Sequence, residues 1–206
     1  MVRYIQRYAA ADRVNHWMVA ICFVVLSLSG LAFFHPAFFF LSAVLGGSVW
    51  ARILHPFIGV FLFLCFIGLS LRVWKENIFK PVDFAWLKRI DEVINNGDGP
   101  DTLPIGKYNA GQKLMFWAMV GSVLLLLLSG IVIWRSYFAA YFPIFMLRSA
   151  LVIHMLAAFV GIVSLIVHVY AAIWIKGTVR AMTRGNVEAD WAAQHHPEWY
   201  RRMTGK

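Results

Sequence analysis

Long apolar runs, broken by short clusters of charge and turn residues, dominate the chain. After His16 no Asp, Glu, Lys or Arg occurs until Arg52, and the apolar run from Trp17 to Phe34 ends at His35-Pro36. Three further runs cover 53–73, 114–134 and 149–175. A hydrocarbon core of roughly 30 Å takes about 20 predominantly apolar residues to cross, so residues 17–34, 53–73, 114–134 and 149–175 are predicted transmembrane spans. They are apolar all round, which excludes amphipathic surface helices. The pattern predicts an all-α integral membrane four-helix bundle, a single domain over residues 1–206.

Between the second and third spans lies a polar loop, 75–112. Within it Phe84-Ala85-Trp86-Leu87 and Ile90, Val93 and Ile94 alternate with Lys88, Arg89, Asp91 and Glu92, which predicts a short interfacial helix. The Gly, Pro and Asn residues from Asn95 to Pro104 end it. The tail, 176–206, is polar with Trp191, Trp199 and Tyr200 as aromatic punctuation. It is expected to lie against the membrane or a partner.

Composition agrees: 61% of the 206 residues are hydrophobic and 14% charged, against roughly 45–50% and 25% in soluble domains. The net charge of +9 does not indicate nucleic acid, because the basic residues flank the apolar runs. Of nineteen Lys and Arg, all but Arg52, Arg135 and Arg148 lie before the first span, in the middle loop or in the tail. By the positive-inside rule the N and C termini and the long loop are cytoplasmic. No small-residue cleavage site precedes the Phe-rich stretch Ala37 to Phe40, so the first run is a span rather than a removed signal peptide.

Two cysteines cannot ligate an iron–sulfur cluster, and no C-x-x-C-H motif exists for covalent haem. Metal or haem must therefore hang on histidine. Of seven histidines, His195 and His196 lie in the tail and His35 in a loop. The other four fall at matched depths. His55 and His154 sit near the outer ends of the second and fourth spans, His16 and His168 near the inner ends of the first and fourth. His154 and His168 are fourteen residues apart, about 21 Å along a helix and within roughly 40° of one face. Two b-type haems stacked across the membrane, the outer held by His55 and His154 and the inner by His16 and His168, use all four. Gly161, midway between His154 and His168, and Gly59, one turn after His55, leave room for a flat ring. The competing reading is that such histidines bond between helices. Zinc or a proton relay would need clustered ligands or carboxylates, and no Asp or Glu lies inside a span.

Arg52, Arg135 and Arg148 outside, with Arg13 and Arg72 inside, stand at depths where haem propionates emerge and are candidate partners for them; arginine at a span end also snorkels or sets topology. A short internal repeat runs through the same regions. His16-Trp17 and Phe116-Trp117, and Ser29-Gly30 and Ser129-Gly130, recur one hundred residues apart, while His55 and His154 recur at ninety-nine. The chain therefore reads as two copies of a helix pair, unless matches this short are chance.

Five segments carry a resemblance: Asn15-His16-Trp17; Arg52-Ile-Leu-His55-Pro56-Phe57; Gly106-Lys-Tyr-Asn-Ala-Gly-Gln-Lys113 followed by Phe116-Trp117; Ile133-Trp134-Arg135; and His195-His196-Pro-Glu-Trp-Tyr-Arg201. Together they resemble the cytochrome b (gamma) subunit of respiratory membrane-bound formate dehydrogenase, over almost the whole chain. The resemblance implies a multi-pass dihaem cytochrome b of the bacterial inner membrane. It would take electrons from an iron–sulfur beta subunit, fed by a periplasmic molybdenum- or tungsten-containing alpha subunit, and pass them to menaquinone or ubiquinone near the cytoplasmic face, as half of a proton-motive redox loop. It implies assembly as a trimer of heterotrimers. It assigns the same two histidine pairs and places the quinone at Asn109, Gly111 and Gln112, with His168 nearby. Asn109 and Gln112 equally fit a helix cap and its capping box. The tail stops at Lys206 without the charged extension of well-known members, and the resemblance gives His195 and His196 no cofactor role. The alternatives are a dihaem subunit of another respiratory dehydrogenase, of hydrogenase or thiosulfate reductase type, and a haem-free membrane scaffold or small transporter.

Overall fold

The structure, a computed structural model, describes residues 2–92 and 103–205. Four long helices carry the predicted spans: α1 (Ala10–Phe34), α2 (Ser48–Val73), then α4 (Ala110–Ile133) and α5 (Ile144–Trp174). Each is long and apolar enough to cross a membrane. Every one starts four to seven residues before the apolar run read from the sequence. The reason is that hydropathy marks the hydrocarbon slab, whereas hydrogen bonding continues the helix into the interface. Asp12 and Arg13 are helical for this reason, although no hydropathy window would include them.

Between α2 and α4 the predicted interfacial helix forms as α3 (Pro81–Leu87), with a second short helical stretch at 90–92. Pro81 opens α3, where its missing N–H costs nothing, and Asp83 closes the first turn by accepting from Lys80 N at 2.6 Å. Val93, Ile94 and the turn residues to Thr102 lie outside the described residues. Beyond α5 come α6 (Thr178–Thr183), α7 (Ala189–His195) and α8 (Pro197–Thr204). Tighter 3-10 helices cover Pro36–Leu45, Trp74–Asn77 and Ala139–Tyr141, and two three-residue strands, β1 (Tyr4–Gln6) and β2 (Asn186–Glu188), pair antiparallel with Ile5 opposite Val187.

Packing sorts the described residues into two units. Unit 1 holds residues 2–14, 71–92, 103–117 and 166–205; unit 2 holds 15–70 and 118–165. Unit 2 contains the greater part of α1, α2, α4 and α5. Small residues make up much of its interior: Ala32, Ala51, Ala150, Ala157, Ser29, Ser122 and Ser129 are buried, beside Val19, Phe23, Leu62, Met119 and Val123. This is how membrane helices approach when no hydrophobic effect drives them together. Large side chains such as Phe61, Leu64, Phe159 and Val160 face outward. A surface of that kind suits lipid and not water. The space at Gly161, read from the sequence as room for a haem ring, is taken by Phe23 of this chain: a Cβ at Gly161 would stand 2.9 Å from Phe23 Cζ.

Unit 1 adds to the expectation for the tail. Residues of the segment 176–205 fold back on the N-terminal segment. Ile5, Ala181, Val187, Ala189, Ala192 and Trp199 form a small core, with Tyr8, Trp191 and Tyr200 packed on it. Gly185, at φ +83°, makes the turn between α6 and β2. Its carbonyl accepts from Arg7 N and Tyr8 N, and the Arg13 guanidinium packs where a side chain would stand.

Candidate functional site

Two of the four candidate histidines meet within unit 2. His55 on α2 and His154 on α5 have ring centroids 6.4 Å apart and planes inclined by 55°. The Nδ1 atom of each is occupied by a serine of a neighbouring helix, Ser29 Oγ at 2.7 Å from His55 and Ser129 Oγ at 2.9 Å from His154. Nε2 is thereby the nitrogen left for a ligand on each ring. Two imidazole–metal bonds of about 2 Å each, with the half-widths of two rings, span a separation of this size, so the pair fits one iron held from both sides. Gly30 and Gly130 face the rings: a Cβ there would stand 3.7 Å and 3.4 Å from the respective Cε1 atoms, at ordinary contact. Phe33 meets the edge of His55 at 5.5 Å.

His16 is half-buried on α1, edge-on to Trp17 at 5.4 Å, and belongs to unit 2. His168 lies on α5 and belongs to unit 1. α5 runs unbroken from Ile144 to Trp174, so one helix carries both His154 and His168, as the spacing predicts.

The candidate propionate arginines divide. Arg72 is committed to Asp12 at 2.8 Å, and Arg13 packs over Gly185. Arg52 donates through Nε to Ser48 O at 3.2 Å and is otherwise exposed, as are Arg135 and Arg148. Arg72 is exposed as well but ion-paired, so Arg52, Arg135 and Arg148 are the exposed members of the set for which no ion pair is seen among the described residues.

In unit 1, Asn109 and Gln112 form a reciprocal capping box at the start of α4. Gln112 N donates to Asn109 Oδ1 at 2.9 Å, and Asn109 N donates to Gln112 Oε1 at 3.0 Å. The cap uses the two carbonyl oxygens and leaves both side-chain NH2 groups as donors. Both residues line a cleft with Trp86, Thr178, Trp191 and His195. It is narrow, with room for about one or two water molecules. Gly111 acts beneath it, carrying the Trp86 ring, which lies 3.2 Å from where its Cβ would stand. His168 is not among the lining residues.

Sequence reasoning missed what holds this region together. His196 is only 2% exposed, with Nδ1 2.8 Å from Gly106 O and Nε2 3.2 Å from Arg7 Nη2. A carbonyl only accepts, so Nδ1 carries the proton and Nε2 receives the Arg7 N–H. Burial and then the Arg7 guanidinium hold this imidazole well below its usual pKa. Arg7 also donates to Lys107 O and lies against the rings of Trp199 at 4.9 Å and Trp191 at 5.4 Å. Two motifs ninety residues apart, Gly106–Lys113 and His195–Arg201, are thus one structural feature. The available signal was that both stand out in otherwise unremarkable polar segments.

Comparison with known proteins places the chain. The family described as prokaryotic cytochrome b561 matches residues 7–185. The formate dehydrogenase cytochrome b556(fdo) subunit of Escherichia coli K12 is 46% identical over 199 residues, 97% of this chain and 93% of that one. The nitrate-inducible cytochrome b556(Fdn) subunit of the same strain is 41% identical, covering 98% and 92%. The formate dehydrogenase cytochrome b556 subunit of Haemophilus influenzae is 42% identical, covering 95% and 82%. The chain belongs to the prokaryotic cytochrome b561 family and, within it, to the formate dehydrogenase cytochrome b subunits.

Proposed function

We infer that this multi-pass inner-membrane protein anchors a formate dehydrogenase and carries its electrons by way of two b haems to a quinone near the cytoplasmic face. The observation that carries the reading is the His55–His154 pair, two imidazoles at ligating separation with Nδ1 of each already engaged. His55 and His154 hold the outer haem and His16 and His168 the inner one; for the inner pair the reading rests on the depth pattern and the family alone. Haem iron supplies one-electron chemistry between a donor and a two-electron acceptor.

The chain's own residues supply the rest. Arg52, Arg135 and Arg148 offer guanidinium groups to propionates at the outer end. Asn109 and Gln112 offer amide N–H donors to a quinone oxygen, with Gly111 seating Trp86 at the edge of the cleft. The cleft has to widen to admit a quinone ring. With the termini cytoplasmic, the orientation that the Lys and Arg distribution supports, protons are taken up inside while formate is oxidised outside by a molybdenum- or tungsten-containing alpha subunit. An iron–sulfur beta subunit stands between the two, and the assembly is a trimer of such heterotrimers.

The test is formate-driven reduction in the purified complex. Formate should bring up the reduced b-type spectrum, and an added menaquinone analogue should return it to the oxidised one. Reduction by hydrogen in place of formate, or oxidation of the quinol-reduced protein by thiosulfate, would assign the chain to another respiratory enzyme. Formate-dependent quinone reduction undiminished in a haem-free variant would overturn the reading.

A further inference from the structure

The internal repeat acquires a chemical meaning at the outer histidines. Ser29-Gly30 and Ser129-Gly130 stand one hundred residues apart in the chain, and each serine meets one histidine of the pair, at 2.7 Å and 2.9 Å. Both serines are buried, Ser29 completely. Each is also bonded to its own helix one turn back. Ser29 Oγ donates to Val25 O at 3.0 Å, with Leu26 O at 3.1 Å, and Ser129 Oγ donates to Leu125 O at 2.5 Å.

The direction of the serine–histidine bonds follows from counting hydrogens. A hydroxyl has one hydrogen and two lone pairs, and a carbonyl oxygen can only accept. The single hydrogen of each serine goes to the helix carbonyl, so each imidazole must donate Nδ1–H to Oγ. Nδ1 is the protonated nitrogen on both rings, and the lone pair is on Nε2. That is the tautomer a metal requires, fixed before any metal arrives. Each half of the chain supplies one such serine followed by a glycine; at His154 the Leu126 carbonyl is a second acceptor for the ring.

We propose that Ser29 and Ser129 are matched positioning residues for the outer haem, each fixing the tautomer and rotation of one axial imidazole and together lowering that haem's reduction potential. The proposal rests on the reading of His55 and His154 as its ligands. A hydrogen bond accepted from Nδ1–H makes the imidazole a more basic ligand. A more basic ligand favours the oxidised iron, so removing the bond raises the potential. A serine that only tied helices together, as membrane hydroxyls do, would affect assembly and leave the potential alone.

The experiment is a redox titration of the purified holo-complex with Ser29→Ala, Ser129→Ala and the double variant. The expected result is an upward shift in the midpoint of one b haem, larger in the double variant, with the other haem unmoved. Selective loss of that same haem, by an affinity drop of about 10- to 100-fold, also supports the proposal. Both midpoints unchanged at full haem content overturn it. Should an alanine variant not assemble, Ser29→Cys and Ser129→Cys keep a weaker acceptor in place. They should give a smaller upward shift, and an unchanged midpoint in them overturns the proposal equally. His55→Ala separates this from failure of the underlying reading. If it leaves both haems bound, the ligand reading falls and the serine proposal with it; if it removes one haem while serine variants change nothing, only the serine proposal falls.

Discussion

Lys113 Nζ stands 2.7 Å from Asp83 Oδ2 with both side chains almost completely buried, and it donates also to Ile78 O at 3.1 Å. This ion pair pins α3 to the first turn of α4 and explains the lysine that ends the Gly106–Lys113 motif. Removing one partner strands a buried charge, which costs about 3–5 kcal/mol. Lys113→Met should therefore loosen α3, measured as faster amide exchange across Pro81–Leu87. The double variant K113M/D83L should recover most of the protection, because an apolar pair leaves no charge unpaired.

The tail's attachment should depend on pH. Burial, then Arg7, lowers the His196 pKa well below its ordinary value, which is about 6.5 in an unfolded chain. The folded state thus binds fewer protons than the unfolded one, and stability rises with pH in the window between the two values. The contribution is complete above about pH 6.5 and is lost as pH falls below it. Protease access to residues 186–204 should increase between pH 8 and pH 5.5. His196→Asn, which cannot take up a proton, should flatten that dependence.

Asn109 has two roles that one substitution can part. Serine caps a helix about as well as asparagine but lacks the amide donor. Asn109→Ser should keep α4 intact by amide exchange while weakening quinone-analogue binding several-fold. Unchanged affinity in that variant would leave Asn109 a cap and nothing more.

Much of this was legible in the chain, and the limits have physical causes. The spans were readable because lipid demands long apolar runs, and the His154–His168 relation because helical geometry is regular over fourteen residues. Their helix ends were not, since polar residues such as Asp12 continue a helix without a hydropathy signal. The Ser-Gly repeat was visible in the sequence, yet its partner atoms depend on how each helix is rotated, which the spacing does not specify. The tail was least legible. Strands of three residues carry almost no periodicity, and β1 and β2 are separated by nearly the whole chain. His196 sits among polar residues in sequence and is buried only because Arg7, Gly106 and Trp199 converge on it.

The most direct measurement is the number of b haems per chain in the purified complex, by pyridine haemochrome and protein quantification on one sample, for the native protein and His55→Ala. Two are expected in the native chain and one in the variant, with the remaining haem still reducible. A native complex with a single haem, or a variant that keeps two, would contradict the assignment of His55 and His154 to one iron and His16 and His168 to another.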